Sequence, residues 1–214
     1  MQQGNVILST AYFPPIQYLT KFLIYSKIEI EKFENYTKQS FRNRCIIMGA
    51  NGALTLSIPV KKDFHPHIPI AELKIDYQTN WQKIHWKAIE AAYRRSPFFE
   101  FYKDDFYPFF HGSYEFLLPF NTQILDIVLL RLGIEKIVKF SEKYEPIPDG
   151  YFDFRDTIHP KPAKSMEDDQ FSPAKYNQVF LNKFDFVPNL TILDLLFNEG
   201  PNSLSILKES ICEK

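Results

Sequence analysis

The sequence predicts an α/β domain with a mixed sheet, in which an N-terminal strand–helix unit and an antiparallel hairpin are flanked by helices. Three observations carry this expectation. The apolar run Val6 to Phe13 stops at Pro14-Pro15 and is followed by Ile16, Leu19, Phe22 and Leu23 at helical spacing. Arg44 to Met48 and Ala53 to Val60 flank Asn51-Gly52, a pair suited to the positive φ values of a two-residue hairpin turn. Trp81, Ile84, Ala88, Ala91 and Ala92 then form a helical stripe that ends before Ser96-Pro97.

The remaining elements follow in order. Lys27 to Phe33 alternates, with Ile28 and Ile30 set against Lys27, Glu29 and Glu31, and reads as a half-buried strand. Glu72 to Tyr77 is a further short strand candidate. Thr79-Asn80-Trp81-Gln82 fits the capping box, in which hydroxyl and amide satisfy orphan backbone donors reciprocally. Helical turns are expected around Glu100 to Phe106, and Asn121 is placed to cap a helix that runs to Leu132 and ends at Gly133. Between 141 and 173 periodicity is lost among Pro146, Pro148, Pro160, Pro162 and Pro173, which predicts an irregular arm less ordered than its flanks. Asn189 and Thr191 can start a helix through Phe197, Gly200-Pro201 ends it, and Ser203 to Ile211 reads as a terminal helix.

With 214 residues the chain suits a single domain, 1–214, whose core buries about 70% of the unfolded surface. Aromatics make up 16%, with 21 Phe and 12 Tyr, so the core is expected to rest on ring packing. Lys+Arg 25 against Asp+Glu 26 lacks the basic excess of a general nucleic-acid binder. Cys45 and Cys212, with no leader-like N-terminus, predict free thiols in the reducing cytoplasm. No apolar run approaches the roughly 20 residues of a membrane span.

Three constellations could carry chemistry. Tyr12, Gln17 and Tyr18 sit at the expected strand–helix corner, where a helix N-terminus offers donors to an anionic ligand; a rigid corner of buried tyrosines is the structural alternative. Lys38, Ser40, Arg42 and Arg44 would share one face of an extended segment and suit a phosphate, with Gln39 and Asn43 as orienting groups. A solvated strand edge is the alternative there. Trp81 and His85 meet four residues apart on one helix face, and His85 has the reference pKa of a proton-transfer group, although a core histidine explains it as well.

Other chemistries lack support. The glycines of a dinucleotide fingerprint or P-loop are absent, as are G-x-S-x-G and zinc spacings, and His65-Pro66-His67 is a pair without a spaced third ligand. No metal is expected and no particular cofactor is indicated. Asp104-Asp105 diverge by about 100° on a helix and read as a solvated face.

In order along the chain, several pieces resemble the WbqC-like family. They are Tyr12-Phe13-Pro14-Pro15 with Gln17-Tyr18, then Asn35-Tyr36 running into Ser40-Phe41-Arg42-Asn43-Arg44, and a hairpin ending in Pro59-Val60. Trp81-Gln82-Lys83-Ile84-His85-Trp86, Tyr93 with Ser96-Pro97-Phe98-Phe99, Tyr176 to Phe180 and Leu190 to Gly200 follow. The first loop departs from the pattern Gln-Pro-x-Tyr-x-Pro-Trp of many members, lacking its glutamine and tryptophan. The resemblance implies a place in building O-antigen or other surface polysaccharide. It favours a group-transfer enzyme acting on an amino sugar or nucleotide-linked sugar. Lys38, Arg42 and Arg44 would hold phosphate, Tyr12, Gln17 and Tyr18 would orient substrate, and His85 would move the proton. The rival is a non-catalytic module that docks a glycan or protein through an aromatic surface.

Overall fold

The computed structural model describes residues 2–61, 67–146 and 149–212. Its organising unit is β1 (Gln2–Ser9), α1 (Ile16–Ile24) and β2 (Tyr25–Glu31). The two strands pair in parallel, Val6 against Ile28 and Leu8 against Ile30. All four side chains are buried and join Leu19 and Phe22 of α1 in one apolar cluster. β1 ends before the apolar run does because Tyr12 and Phe13 leave the sheet to fill the core, both at 0% exposure. Phe13 turns the chain there at φ 39°, a conformation bulky residues adopt only when their surroundings impose it.

Two short strands complete the sheet, β5 (Val138–Phe140) beside β2 and β6 (Tyr151–Asp153) beside β1. The order is β5-β2-β1-β6, all parallel. The antiparallel pairing forms a second sheet, β3 (Arg44–Gly49) and β4 (Gly52–Ser57). The hairpin forms where Asn51-Gly52 predicts it, but one residue out of step: Gly49 pairs with Gly52, so Ala50 and Asn51 make the turn, and of the expected pair only Gly52, at φ 109°, has a positive φ.

The helices are α2 (Trp81–Tyr93), α3 (Phe99–Phe106), α4 (Leu117–Leu132), α5 (Ile192–Glu199) and α6 (Ser203–Glu209). Gly133 ends α4 in the left-handed region, as expected. Three local expectations fail. The capping box before α2 does not form; the Gln82 amide instead donates to the Phe109 and Gly112 carbonyls at 2.9 and 2.7 Å. Asn121 is not a cap but a buried cross-link inside α4, donating to the Arg42 carbonyl at 2.8 Å and to Thr10 Oγ1 at 3.2 Å. Glu72 to Tyr77 makes isolated bridges at Lys74 and Ile75 and no strand.

The arm is irregular for most of its length. It supplies β6, and it is pinned to α1 by Asp168, which pairs with Lys21 at 2.7 Å, both side chains being buried. Tyr25 donates to Gln170 at 2.9 Å beside that pair. No described helix is long and apolar enough to cross a membrane.

Candidate functional site at the carboxyl edge of the parallel sheet

Because all four strands run the same way, their carboxyl ends gather at one edge, where ligands of open α/β sheets bind. Charge is concentrated there. Glu31, the last residue of β2, is 0% exposed; it accepts from Ser141 Oγ at 2.6 Å and from the Phe33 amide at 2.8 Å, with Arg155 at 3.4 Å. Three residues on, Glu34 Oε1 accepts from Arg42 Nε at 2.8 Å, and Arg42 Nη2 closes the second prong on Oε2. Ser9, the last residue of β1, lies 3.1 Å from the same Oε2 and 2.9 Å from the Arg155 carbonyl. Asp156, 79% exposed, reaches Arg42 at 3.6 Å and brings the network to the surface. Burial pushes Glu34 above the ordinary carboxylate range, although Arg42 and Ser9 pull the other way.

The segment after Glu34 is a run of turns, not the extended strand that would align its basic residues, and Gln39 turns at φ 62°. The four residues therefore part company. Arg42 points inward to Glu34 and is 3% exposed, and Ser40 donates to the Thr37 carbonyl at 2.7 Å. Lys38, Asn43 and Arg44 instead line a cavity of about 660 Å³ with Tyr36, Asp76 and Gln78. Asn43, 5% exposed, donates to the Ile58 carbonyl at 2.8 Å, yet its Oδ1 is shielded from solvent without a partner, and so is Arg44 Nε.

The strand–helix corner is closed. The first three backbone donors of α1 are taken by the Leu190 carbonyl, Asn189 Oδ1 and the Pro15 carbonyl. Gln17 is spoken for at both ends of its amide, by Asp168 at 2.8 Å and Asn189 at 3.0 Å. The anion site expected at this turn is thus filled by the chain itself. Tyr18 is different: buried, it donates to the Ser9 carbonyl at 3.0 Å and joins the carboxyl-edge network.

His85 is 4% exposed and its Nδ1 lies 3.0 Å from the hydroxyl of fully buried Tyr12. Trp81 stands edge-on to it at 5.1 Å between ring centroids. Burial drives the imidazole pKa down to about 4, against a backbone hydrogen bond at Ser57 that raises it. The ring is neutral at physiological pH, and the structure brings Tyr12, Trp81 and His85 together sealed in the core. Cys45 is buried, with its pKa raised by burial. Asp104 is exposed, while Asp105 pairs with Arg131.

Comparison with known proteins decides the family. The sequence profile of the WbqC-like protein family matches residues 10–152, more than half of the chain. The chain belongs to the WbqC-like family. The uncharacterised Mycobacterium tuberculosis protein Rv1507c is 27% identical to it over 228 residues, covering 96% of this chain and 95% of that one. No solved structure gives a significant match.

In this WbqC-like protein the family match takes in Glu31, Glu34, Arg42 and Arg44 but stops just before Asp153 and Arg155. Glu31, Glu34, Ser9 and Arg155 were invisible as a site in sequence. Glu31 alternates with apolar residues as a solvated position does, and only the arm folding over β2 buries it. Among the described residues no group of three His, Cys, Asp or Glu could hold a metal ion; His67 is exposed, and His65 lies outside the described residues.

Proposed function

We propose that this WbqC-like protein is a group-transfer enzyme acting on an amino sugar carried on a nucleotide, in the building of surface polysaccharide such as O-antigen. The observation that supports it is the 660 Å³ cavity, which is lined by two cationic side chains, Lys38 and Arg44, beside the amide of Asn43. The fitting ligand carries anionic oxygens for the Arg44 guanidinium and the Lys38 ammonium. The phosphates of a sugar nucleotide supply them. In this reading Arg42 is the wall of the site and not its ligand, since its fork is held by Glu34.

Calorimetry with uridine diphosphate N-acetylglucosamine as probe tests it. Arg44→Ala is expected to weaken binding about tenfold or more, the worth of one charge-assisted hydrogen bond. Absence of binding to the wild type, or equal affinity in Arg44→Ala, sinks the reading.

A second reading, a glycan-docking module, has one observation in its favour. A groove of about 830 Å³ between α2 and α3 is lined by Trp86, Tyr107 and His111 among Lys83, Lys87 and Asp104. Trp86 and Tyr107 stand edge to face at 5.0 Å, an aromatic platform flanked by polar groups. Saturable binding of a neutral oligosaccharide that Trp86→Ala abolishes and Arg44→Ala spares favours the module.

A further inference from the structure

We propose that Ser9 is a nucleophile that carries an acyl group, with Glu34 as its general base; this rests on the group-transfer reading and names its chemistry. The geometry has the three parts an activated hydroxyl requires: a nucleophile, a base within hydrogen-bond reach, and a third group that orients the base. Ser9 Oγ is 3.1 Å from Glu34 Oε2. Glu34 is fixed by the two prongs of Arg42, so Oε2 cannot swing away from Ser9. Arg42 is fixed in turn by Asn121, which holds its carbonyl at 2.8 Å.

Two further features, its place in the sheet and its exposure, fit a nucleophile. Ser9 ends a central strand of the parallel sheet, at the edge where ligands of such sheets bind. It is only partly buried, while Glu34 behind it is 5% exposed. Its single proton faces two acceptors, the Arg155 carbonyl at 2.9 Å and Glu34 Oε2 at 3.1 Å, so activation requires the hydroxyl to turn from the carbonyl to the carboxylate. Ser141 provides an internal contrast. It makes an even shorter contact to Glu31, 2.6 Å, but it is 2% exposed and its Oγ also accepts the Lys32 amide, so it is a closed cross-link.

The co-substrate is an acyl thioester. Ser9 Oγ–H gives its proton to Glu34 as Oγ attacks the thioester carbonyl; the C–S bond breaks, and the departing thiolate takes the proton from Glu34. The amine of the sugar then attacks the seryl ester, the C–Oγ bond breaks, and the proton lost by the amine returns through Glu34 to Ser9. The products are a thiol, an amide and the starting enzyme, with no change of oxidation state.

The experiment is intact-mass and peptide mapping of the full chain after incubation with acetyl-pantetheine thioester and, separately, with a fluorophosphonate probe. The expected result is one adduct per chain on Ser9 with each reagent. Ser9→Ala should lose it while keeping the wild-type melting temperature within a few degrees. Glu34→Gln should slow adduct formation about a hundredfold, the scale of lost general-base assistance; if that variant does not fold, the mapping of Ser9 in the wild type and in Ser9→Ala decides alone. An adduct on Ser141 or any residue other than Ser9, an adduct that persists in Ser9→Ala, or no adduct with either reagent overturns the proposal. Failure here with intact sugar-nucleotide binding leaves the binding reading standing. A Ser9 adduct in a protein that binds no sugar nucleotide overturns the substrate and keeps the nucleophile.

Discussion

Arg42 and Glu34 are locked in a two-pronged ion pair, Nε to Oε1 at 2.8 Å, with their side chains only 4% and 7% exposed. Removing one partner of such a pair strands a charge out of water. Arg42→Ala is therefore expected to lose about 3–5 kcal/mol of folding stability in urea titrations. Arg42→Lys should recover part of it, since an ammonium makes one contact where the fork makes two. A loss below about 0.5 kcal/mol would return Arg42 to the role of a solvated anion ligand.

Lys21 and Asp168 make the same kind of pair, and this one fastens the arm to α1. Asp168→Ala should leave Lys21 buried without a counter-charge, cost about 3–5 kcal/mol, and expose the 155–173 segment to limited proteolysis. The double variant Lys21→Met with Asp168→Asn should regain most of the stability, because two neutral groups of similar volume need no pairing. Unchanged cleavage in Asp168→Ala means that the arm is held elsewhere.

His85 and Asp194 should give opposite pH dependences. The folded-state pKa of His85 is lowered from 6.5 to about 4, so the unfolded chain binds the proton first, and stability falls as pH drops from about 6.5 to about 4. Burial raises Asp194 from 3.8 to about 6, against hydrogen bonds from Tyr176, Tyr93 and Gln178, so the folded chain binds that proton first and stability rises as pH drops from about 6 to about 4. Each effect is on the order of 3 kcal/mol at full extent. In urea melts between pH 7 and pH 4.5, His85→Gln should gain stability relative to wild type as pH falls and Asp194→Asn should lose it. Parallel curves for all three proteins would show both groups to titrate normally.

Gly200 ends α5 at φ 53°, and a Cβ built there would lie 2.5 Å from the Phe98 ring. Gly200→Ala is expected to cost about 1–3 kcal/mol through ring displacement alone, with backbone strain added. The double variant Gly200→Ala with Phe98→Leu should relieve the clash and keep the strain, and thermal melts distinguish the two contributions.

The regular elements were legible because their signals are local. Val6 to Leu8 before Ile16 to Phe22 marks strand then helix, Asn51-Gly52 marks the hairpin, and Gly133 and Gly200 mark helix ends. What failed was whatever depended on distant chain. Gln82 and Asn121 have the right residue types for caps, but tertiary carbonyls at Phe109, Gly112 and Arg42 took their amides. The charge spacing of segment 38–44 suits an extended strand and carries no mark of the turns that it forms. Ser9 and Glu31 are partners in the β1–β2 register, but Arg155 joins them only when β6 and the residues after it arrive, and no spacing rule connects position 9 with position 155.

That assembly from remote parts has a consequence for biogenesis. β1, α1 and β2 follow one another directly and leave the ribosome together, whereas β5 and β6 follow more than a hundred residues later. A nascent chain can pair its two central strands early, yet both flanks of that ribbon then lack their neighbours and Glu31 lacks Arg155 and Ser141. Non-local contacts are the slow ones to form, and unpaired strand flanks are where partly folded chains stick together. Truncation before residue 151 therefore yields a chain that forms its N-terminal ribbon and aggregates through it, which makes the late strands the quality-control step of synthesis.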